Sequence, residues 1–262
     1  MDRNSRDAAE RIWNCWQNGT VMDHLPEDMR PVTRAEGYAV QAHLAALSDA
    51  AVFGWKIAAT SAAGQNHIGV SGPLAGRLLG ERVFQSGQML NFGANRMAVA
   101  EPEFAFRIGR QFEPRAEPYA QAEVMDAVDT LHTAIEVPDS RFVDFSRVGE
   151  AVLIADNACA HEFVLGPPMP EDWRSTDLKA HPVEISVGGG DPHQGVGANV
   201  LEDPRIALSW LVNELRQNGI TLETGMIVTT GTCATPIPIG AGDRVSADYG
   251  TLGRLEITFA SP

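Results

Sequence analysis

The run Ala100-Glu101-Pro102-Glu103-Phe104-Ala105-Phe106 constrains this chain more than any other stretch. Met97-Ala98-Val99 before it and Arg107-Ile108 after it continue a strand pattern. On a strand, residues i and i+2 face the same way, so Glu101 and Glu103 present two carboxylates to one side. Like charges at that spacing repel, and apolar neighbours raise the cost further. A solvated face is the ordinary outcome for such a pair; a cation held between them is the other. Pro102 cannot donate to a ladder and predicts an edge or bulged strand, of the kind found beside active sites. Glu136, in Ile135-Glu136-Val137-Pro138, adds a third carboxylate in apolar company. Oxygen-only ligands favour Mg²⁺ or Mn²⁺ over zinc.

With 44% hydrophobic and 21% charged residues, the 262-residue chain has an ordinary globular composition and can bury a sizeable core. Its net charge of −14 argues against nucleic acid or an anionic membrane as partner. Cys15, Cys159 and Cys233 are odd in number and widely spaced, which reads as reduced thiols rather than a disulfide framework or zinc site. The polar first residues suggest no signal peptide, and no apolar run approaches the ~20 residues of a membrane span. A soluble, cytoplasmic protein is the expectation.

Residues 1–50 read as a helical region. Ala8, Ile12, Trp13 and Trp16 recur at helical spacing up to Gly19, and Thr33 with Glu36 forms a capping box ahead of Tyr38, Val40, Leu44 and Leu47. Residues 51–262 are strand-rich, with strands expected at 51–60, 97–109, 132–138, 161–166, 183–187, 226–230 and 254–259. A helix opens at Asp203-Pro204 and ends at Gly219, and shorter ones are expected at 121–130 and 147–157. No linker separates the two regions. The change near residue 50 is one of style within a single folded unit.

Several chemistries are excluded. There is no Gly-x-Ser-x-Gly elbow, no phosphate loop and no dinucleotide fingerprint. His161-Glu162 begins like a metalloprotease motif, but position 165 is Leu. Gly188-Gly189-Gly190-Asp191 reads as a hairpin turn. Lys56, between Trp55 and Ile57, either snorkels out at a strand edge or lies desolvated, with a lowered pKa suited to acid/base work. Asp139-Ser140-Arg141 either closes a site with a charge-assisted bond or forms an exposed turn. Asp156-Asn157 reads first as a helix-end cap. Thr229-Thr230-Gly231-Thr232-Cys233 reads as a small-residue turn after a strand, able to hold a carboxylate.

Taken in order, Gly54-Trp55-Lys56-Ile57, Glu101-Pro102-Glu103-Phe104, Ile135-Glu136-Val137-Pro138-Asp139-Ser140-Arg141, Asp156-Asn157, Phe163-Val164-Leu165-Gly166, the helix at Asp203-Pro204, and Thr230-Gly231-Thr232-Cys233 resemble the 2-keto-4-pentenoate hydratase family of the fumarylacetoacetate hydrolase superfamily. The resemblance implies an α+β fold, a rolled mixed β-sandwich behind a small helical N-terminal region. It implies Glu101, Glu103 and Glu136 as ligands of Mg²⁺ or Mn²⁺, and Lys56 as the catalytic residue beside them. Thr230, Thr232, Ser61, Asp139, Arg141 and Asp156 are the candidate substrate-binding residues. The implied reaction adds water to a 2-hydroxy-2,4-dienoate from aromatic meta-cleavage, giving a 4-hydroxy-2-oxoacid, with the metal as Lewis acid. Assembly into homo-oligomers is implied as well, in some members with a sister decarboxylase. One departure stands out: Leu74 occupies a place where hydratases of this family often carry aspartate. That leaves open the decarboxylation of a 2-oxo-3-enedioate, and C–C hydrolysis of an acylpyruvate. A different class, an acidic interaction protein with solvated carboxylates, is the remaining alternative.

Overall fold

A computed structural model describes residues 2–261. Two helices come first, α1 (Asp2–Asn18) and α2 (Arg34–Ala45), then β1 (Val52–Ala58), α3 (Ala62–Ile68) and β2 (Leu74–Leu79). Two short strands, β3 (Val83–Gln85) and β4 (Met89–Leu90), lead to the long β5 (Val99–Ile108). After α4 (Gln121–Asp126) come β6 (Val128–Val137), α5 (Glu150–Ala155), β7 (Glu162–Pro168), β8 (Pro182–Val187) and β9 (His193–Val196). The chain closes with α6 (Pro204–Gln217), β10 (Ile227–Thr232), β11 (Ile237–Pro238), β12 (Arg244–Asp248) and β13 (Arg254–Phe259).

The strands form two mixed sheets. One is eight-stranded, in the order β2-β1-β10-β5-β6-β7-β3 with β11 added on β5; the other runs β4-β13-β12-β8-β9. Apolar side chains from both sheets, Phe104, Ile135, Ile185 and Leu255 among them, share one core with α6. This is the expected rolled β-sandwich. Among the described residues no helix is long and apolar enough to cross a membrane.

Local chemistry explains the elements. The Thr33 hydroxyl accepts from the Glu36 amide at 3.2 Å while Glu36 accepts from the Thr33 amide at 3.0 Å, so the capping box forms. Asp203 caps α6 through the Arg205 amide at 2.8 Å, with Pro204 in its first turn. Gly188 and Gly189, both at positive φ, turn β8 into β9.

Four expectations change. β5 is a central strand, flanked by β6 on one side and by β10 and β11 on the other. Pro102 is tolerated because the ladder breaks there: β10 pairs as far as Glu103 and β11 resumes at Ala100. Helix α4 stops at Asp126, so β6 begins four residues earlier than its apolar run suggested. Residues 229–232 belong to β10, with a register shift against β5, rather than turning after it. Finally, β2 and β12 went unread, because short apolar runs carry no distinctive period.

Candidate metal centre and active-site cleft

Register brings the three glutamates together. Glu101 pairs directly with Glu136 across β5 and β6, and Glu103 follows two residues along the same face of β5. One oxygen from each lies within 4.8 Å of the others. Glu103 and Glu136 are buried, while Glu101 is half-buried. Glu103 Oε2 accepts from the Thr229 hydroxyl and, at 2.9 Å, from the Gly231 amide, but its Oε1 has no hydrogen-bond partner. Among the described residues Glu136 Oε2 lacks one too, while Glu136 Oε1 is met at 2.9 Å by Lys56 Nζ in a buried ion pair.

Burial raises all three carboxyls: Glu101, with Glu136 adding repulsion, reaches about 7, Glu103, repelled by Glu136 and Glu101, goes well above the usual range, and Glu136 is raised by burial despite Lys56. Three acids against one ammonium leave excess negative charge on orphaned, buried oxygens. That donor set fits a hard divalent cation, which would replace the protons. The Cys159 thiol beside them is pushed up to about 12 by burial, so it stays protonated and offers no soft ligand.

Lys56 is 3% exposed on β1, which excludes the snorkelling alternative. The expected lowering of its pKa is also corrected. Burial pulls the ammonium down, but Glu136, Glu101 and Glu103 together more than offset it, leaving it raised. Its remaining hydrogen bond goes to Ala158 O at 3.1 Å. That carbonyl is presented by three consecutive non-glycine residues, 157–159, with φ of 56°, 49° and 59°. Such left-handed backbone costs roughly 1 kcal/mol or more per residue and needs external support. Asn157 supplies some, accepting from the Arg77 amide at 2.6 Å and donating to Arg77 O at 2.8 Å.

Arg141 supplies the rest. Its guanidinium bonds Asp156 Oδ1 at 2.5 Å, Asp156 O, Asp139 O at 2.8 Å and Ala160 O at 3.0 Å, gripping the turn from both sides. Asp139 itself accepts from the Arg96 and Met97 amides at 3.0 and 3.2 Å. Asp139, Arg141 and Asp156 are therefore brought to each other and not to the cleft. Ser61 and Thr232 do line the cleft, with Lys56, Glu101 and Leu74. Thr230 faces away and donates to Phe104 O at 2.9 Å.

The Thr229–Cys233 segment, read as able to hold a carboxylate, holds that of Glu103 through the Thr229 hydroxyl and the Gly231 amide. Tyr249, which also touches Glu103, escaped the sequence reading, and no local signal marked it. Its hydroxyl accepts from the Glu103 amide at 2.9 Å and donates to Ala134 O at 2.5 Å, entering the β5–β6 ladder from the second sheet.

Fold and site together define a two-sheet α+β protein whose acidic cleft suits a divalent cation. Residues 79–260 match the family described as fumarylacetoacetate (FAA) hydrolase C-terminal, and the chain belongs to that family. It is 32% identical to a 2-keto-4-pentenoate hydratase of Burkholderia vietnamiensis, over 79% of this chain and 78% of that one. It is 27% identical to a 2-hydroxyhexa-2,4-dienoate hydratase of Comamonas testosteroni, over 96% of both. In fold it superposes on 4-oxalocrotonate decarboxylase from Pseudomonas putida G7, complexed with magnesium and adipate. There the TM-score is 0.90 and the identity 24%, covering 99% of this chain and 98% of that one.

Proposed function

We propose that this protein is a metal-dependent hydro-lyase, adding water to a 2-hydroxy-2,4-dienoate to give a 4-hydroxy-2-oxoacid. The observation that carries the reading is the convergence of Glu101, Glu103 and Glu136 with Lys56 at one cleft. Bound Mg²⁺, or Mn²⁺ on the same oxygens, would supply Lewis acidity toward the substrate's carboxylate and 2-oxygen. Lys56, held as an ammonium against Glu136 and Ala158 O, has the charge to offset negative charge developing on the substrate and a proton to pass to its carbon chain. Glu103, fixed by Thr229 and Gly231, keeps one oxygen free for the ion. Thr232 and Ser61 are on the cleft wall, where the substrate's acid head would lie.

Decarboxylation of a 2-oxo-3-enedioate is the second reading: Leu74, at the place where the resemblance expects an aspartate in hydratases, is on the cleft wall. A cytoplasmic setting and a homo-oligomer, with a sister decarboxylase as a further partner, complete the proposal. The three free cysteines support a reducing compartment.

Calorimetric titration of Mg²⁺ into the wild type and Glu103→Gln tests the centre: the wild type should bind and the variant lose at least tenfold in affinity. With Mg²⁺ present, 2-hydroxypenta-2,4-dienoate should lose its ultraviolet absorbance, and Lys56→Met should slow that at least tenfold. A wild type that binds no Mg²⁺ would remove the basis of the reading.

A further inference from the structure

We infer that the substrate carries an uncharged, apolar tail beyond its acid head, an alkyl dienoate rather than a dioate. This deepens the dienoate reading and rests on it. The cleft has a volume of about 740 Å³, far more than a 2-oxo acid head fills, which leaves room for the rest of the substrate along its walls.

Topology places the tail. β1 runs parallel to β10 and β10 antiparallel to β5, so β1 and β5 run in opposite directions. Leu74 pairs with Ala58, two residues past Lys56 on β1. Val99 shares a face with Glu101 and stands two residues before it on β5. Both therefore lie toward the same end of the sheet from Lys56, Leu74 about level with Glu103 and Val99 beyond Glu101. Phe145, Leu153, Ile68 and Met97 complete the apolar lining.

The charge on those walls points the same way. Lys56 is the only lysine or arginine among the described lining residues, and Glu136 and Ala158 O already hold it. Ser61 Oγ accepts from the Gly64 amide at 3.1 Å, and the Asn199 side chain donates to Cys233 O at 2.8 Å. A second carboxylate would lose its water against leucine, valine and phenylalanine with no cation to meet it, which is unfavourable. A methyl or longer alkyl group gains there from burial. Among the described lining residues His67 is the one further side chain that can carry positive charge, and it stands exposed, edge-on to Phe145 at 6.2 Å.

Two non-reacting six-carbon probes separate the cases: 2-oxohexanoate and its dicarboxylate counterpart 2-oxoadipate, each titrated calorimetrically into the Mg²⁺-loaded protein. The alkyl acid should bind at least tenfold tighter. Leu74→Arg, checked for native near-ultraviolet ellipticity, should weaken 2-oxohexanoate and close that gap. The wild-type pair decides the matter even if the variant does not fold. Equal or tighter binding of 2-oxoadipate, or rapid CO₂ release from 2-oxohex-3-enedioate, would overturn the inference while leaving the 2-oxo acid site intact. Failure of both probes to bind, with Mg²⁺ bound, would overturn the function beneath it.

Discussion

Glu162 opens β7 with only 5% of its surface exposed, and burial lifts its carboxyl to about 7, against the pull of Arg82. Between its ordinary value of 4.5 and about 7, the native state holds a proton that the unfolded chain has released. Native stability therefore falls as pH rises through that window, and the full penalty is present above it. At about 1.4 kcal/mol per pH unit, the ceiling is near 3 kcal/mol. Glu162→Gln should thus be more stable than the wild type by about 1–2 kcal/mol at pH 8 and equal to it near pH 4, in urea unfolding at each pH. His161 is pushed down to about 3 by burial, and its Nδ1 accepts from the Trp16 indole at 2.8 Å. Its contribution is lost as pH falls below its usual range, but both proteins share it, so it cancels. A constant difference across pH would show that Glu162 stays ionised in the native state. Glu101 and Glu103 were legible as a same-face pair because strand alternation is a local rule, whereas Glu136 could be read only as a third acid in apolar company, its pairing with Glu101 being long-range. The direction of the Lys56 shift was not legible, since it depends on charges more than forty residues away in the chain.

Strand pairing carries the next level of control. The Tyr249 hydroxyl stands between the Glu103 amide and the Ala134 carbonyl, where a direct ladder bond would otherwise form. Its ring packs edge-on to Phe104 at 5.6 Å, and its own carbonyl accepts from His181 Nε2 at 2.7 Å in one tautomer. The second sheet thereby sets the spacing of the two strands that bear the acids. On the other side of β5, Gly231 at φ +104° turns its amide to Glu103, and a Cβ there would collide with Thr60 Oγ1 at 2.3 Å. Tyr249→Phe should cost about 1–3 kcal/mol, the penalty for stranded buried polar groups. It should also weaken Mg²⁺ several-fold, because Glu103 shifts as the strands close. Urea midpoints and calorimetry read the two effects separately; unchanged Mg²⁺ affinity would confine Tyr249 to packing. Long periodic helices such as α1, α2 and α6 were readable from sequence. The wedge was not, because nothing near Tyr249 marks a partner 115 residues away.

Across the whole molecule, the N-terminal helices are wired into the sheet that bears the site. Gln41 on α2 has no exposed surface; its amide donates to Ala75 O at 2.8 Å and Ile154 O at 2.9 Å, and Arg77 donates to its carbonyl oxygen. Tyr38 shares the main core with Trp55 and Phe104, and its hydroxyl meets Glu214 on α6 at 2.9 Å. Arg34 joins the same carboxylate at 2.7 Å and also pairs with Glu150. Helix α1 then closes a second apolar cluster through Ala8, Ile12 and Trp16 against Leu79, Phe142 and Val152. Removing residues 1–50 would bare that cluster and leave Ala75 O, Ile154 O and the buried Arg77 without their partner. At about 1–3 kcal/mol for each stranded group, together with the lost apolar burial, the loss would consume a typical stability of 5–15 kcal/mol. Residues 51–262 expressed alone should therefore show no native near-ultraviolet signal. The full chain should unfold in one urea transition, with coincident midpoints by far-ultraviolet ellipticity and tryptophan fluorescence. A cooperative melt from residues 51–262 alone would instead make the N-terminal helices a separable domain, and the support they give to the strands around Lys56 dispensable.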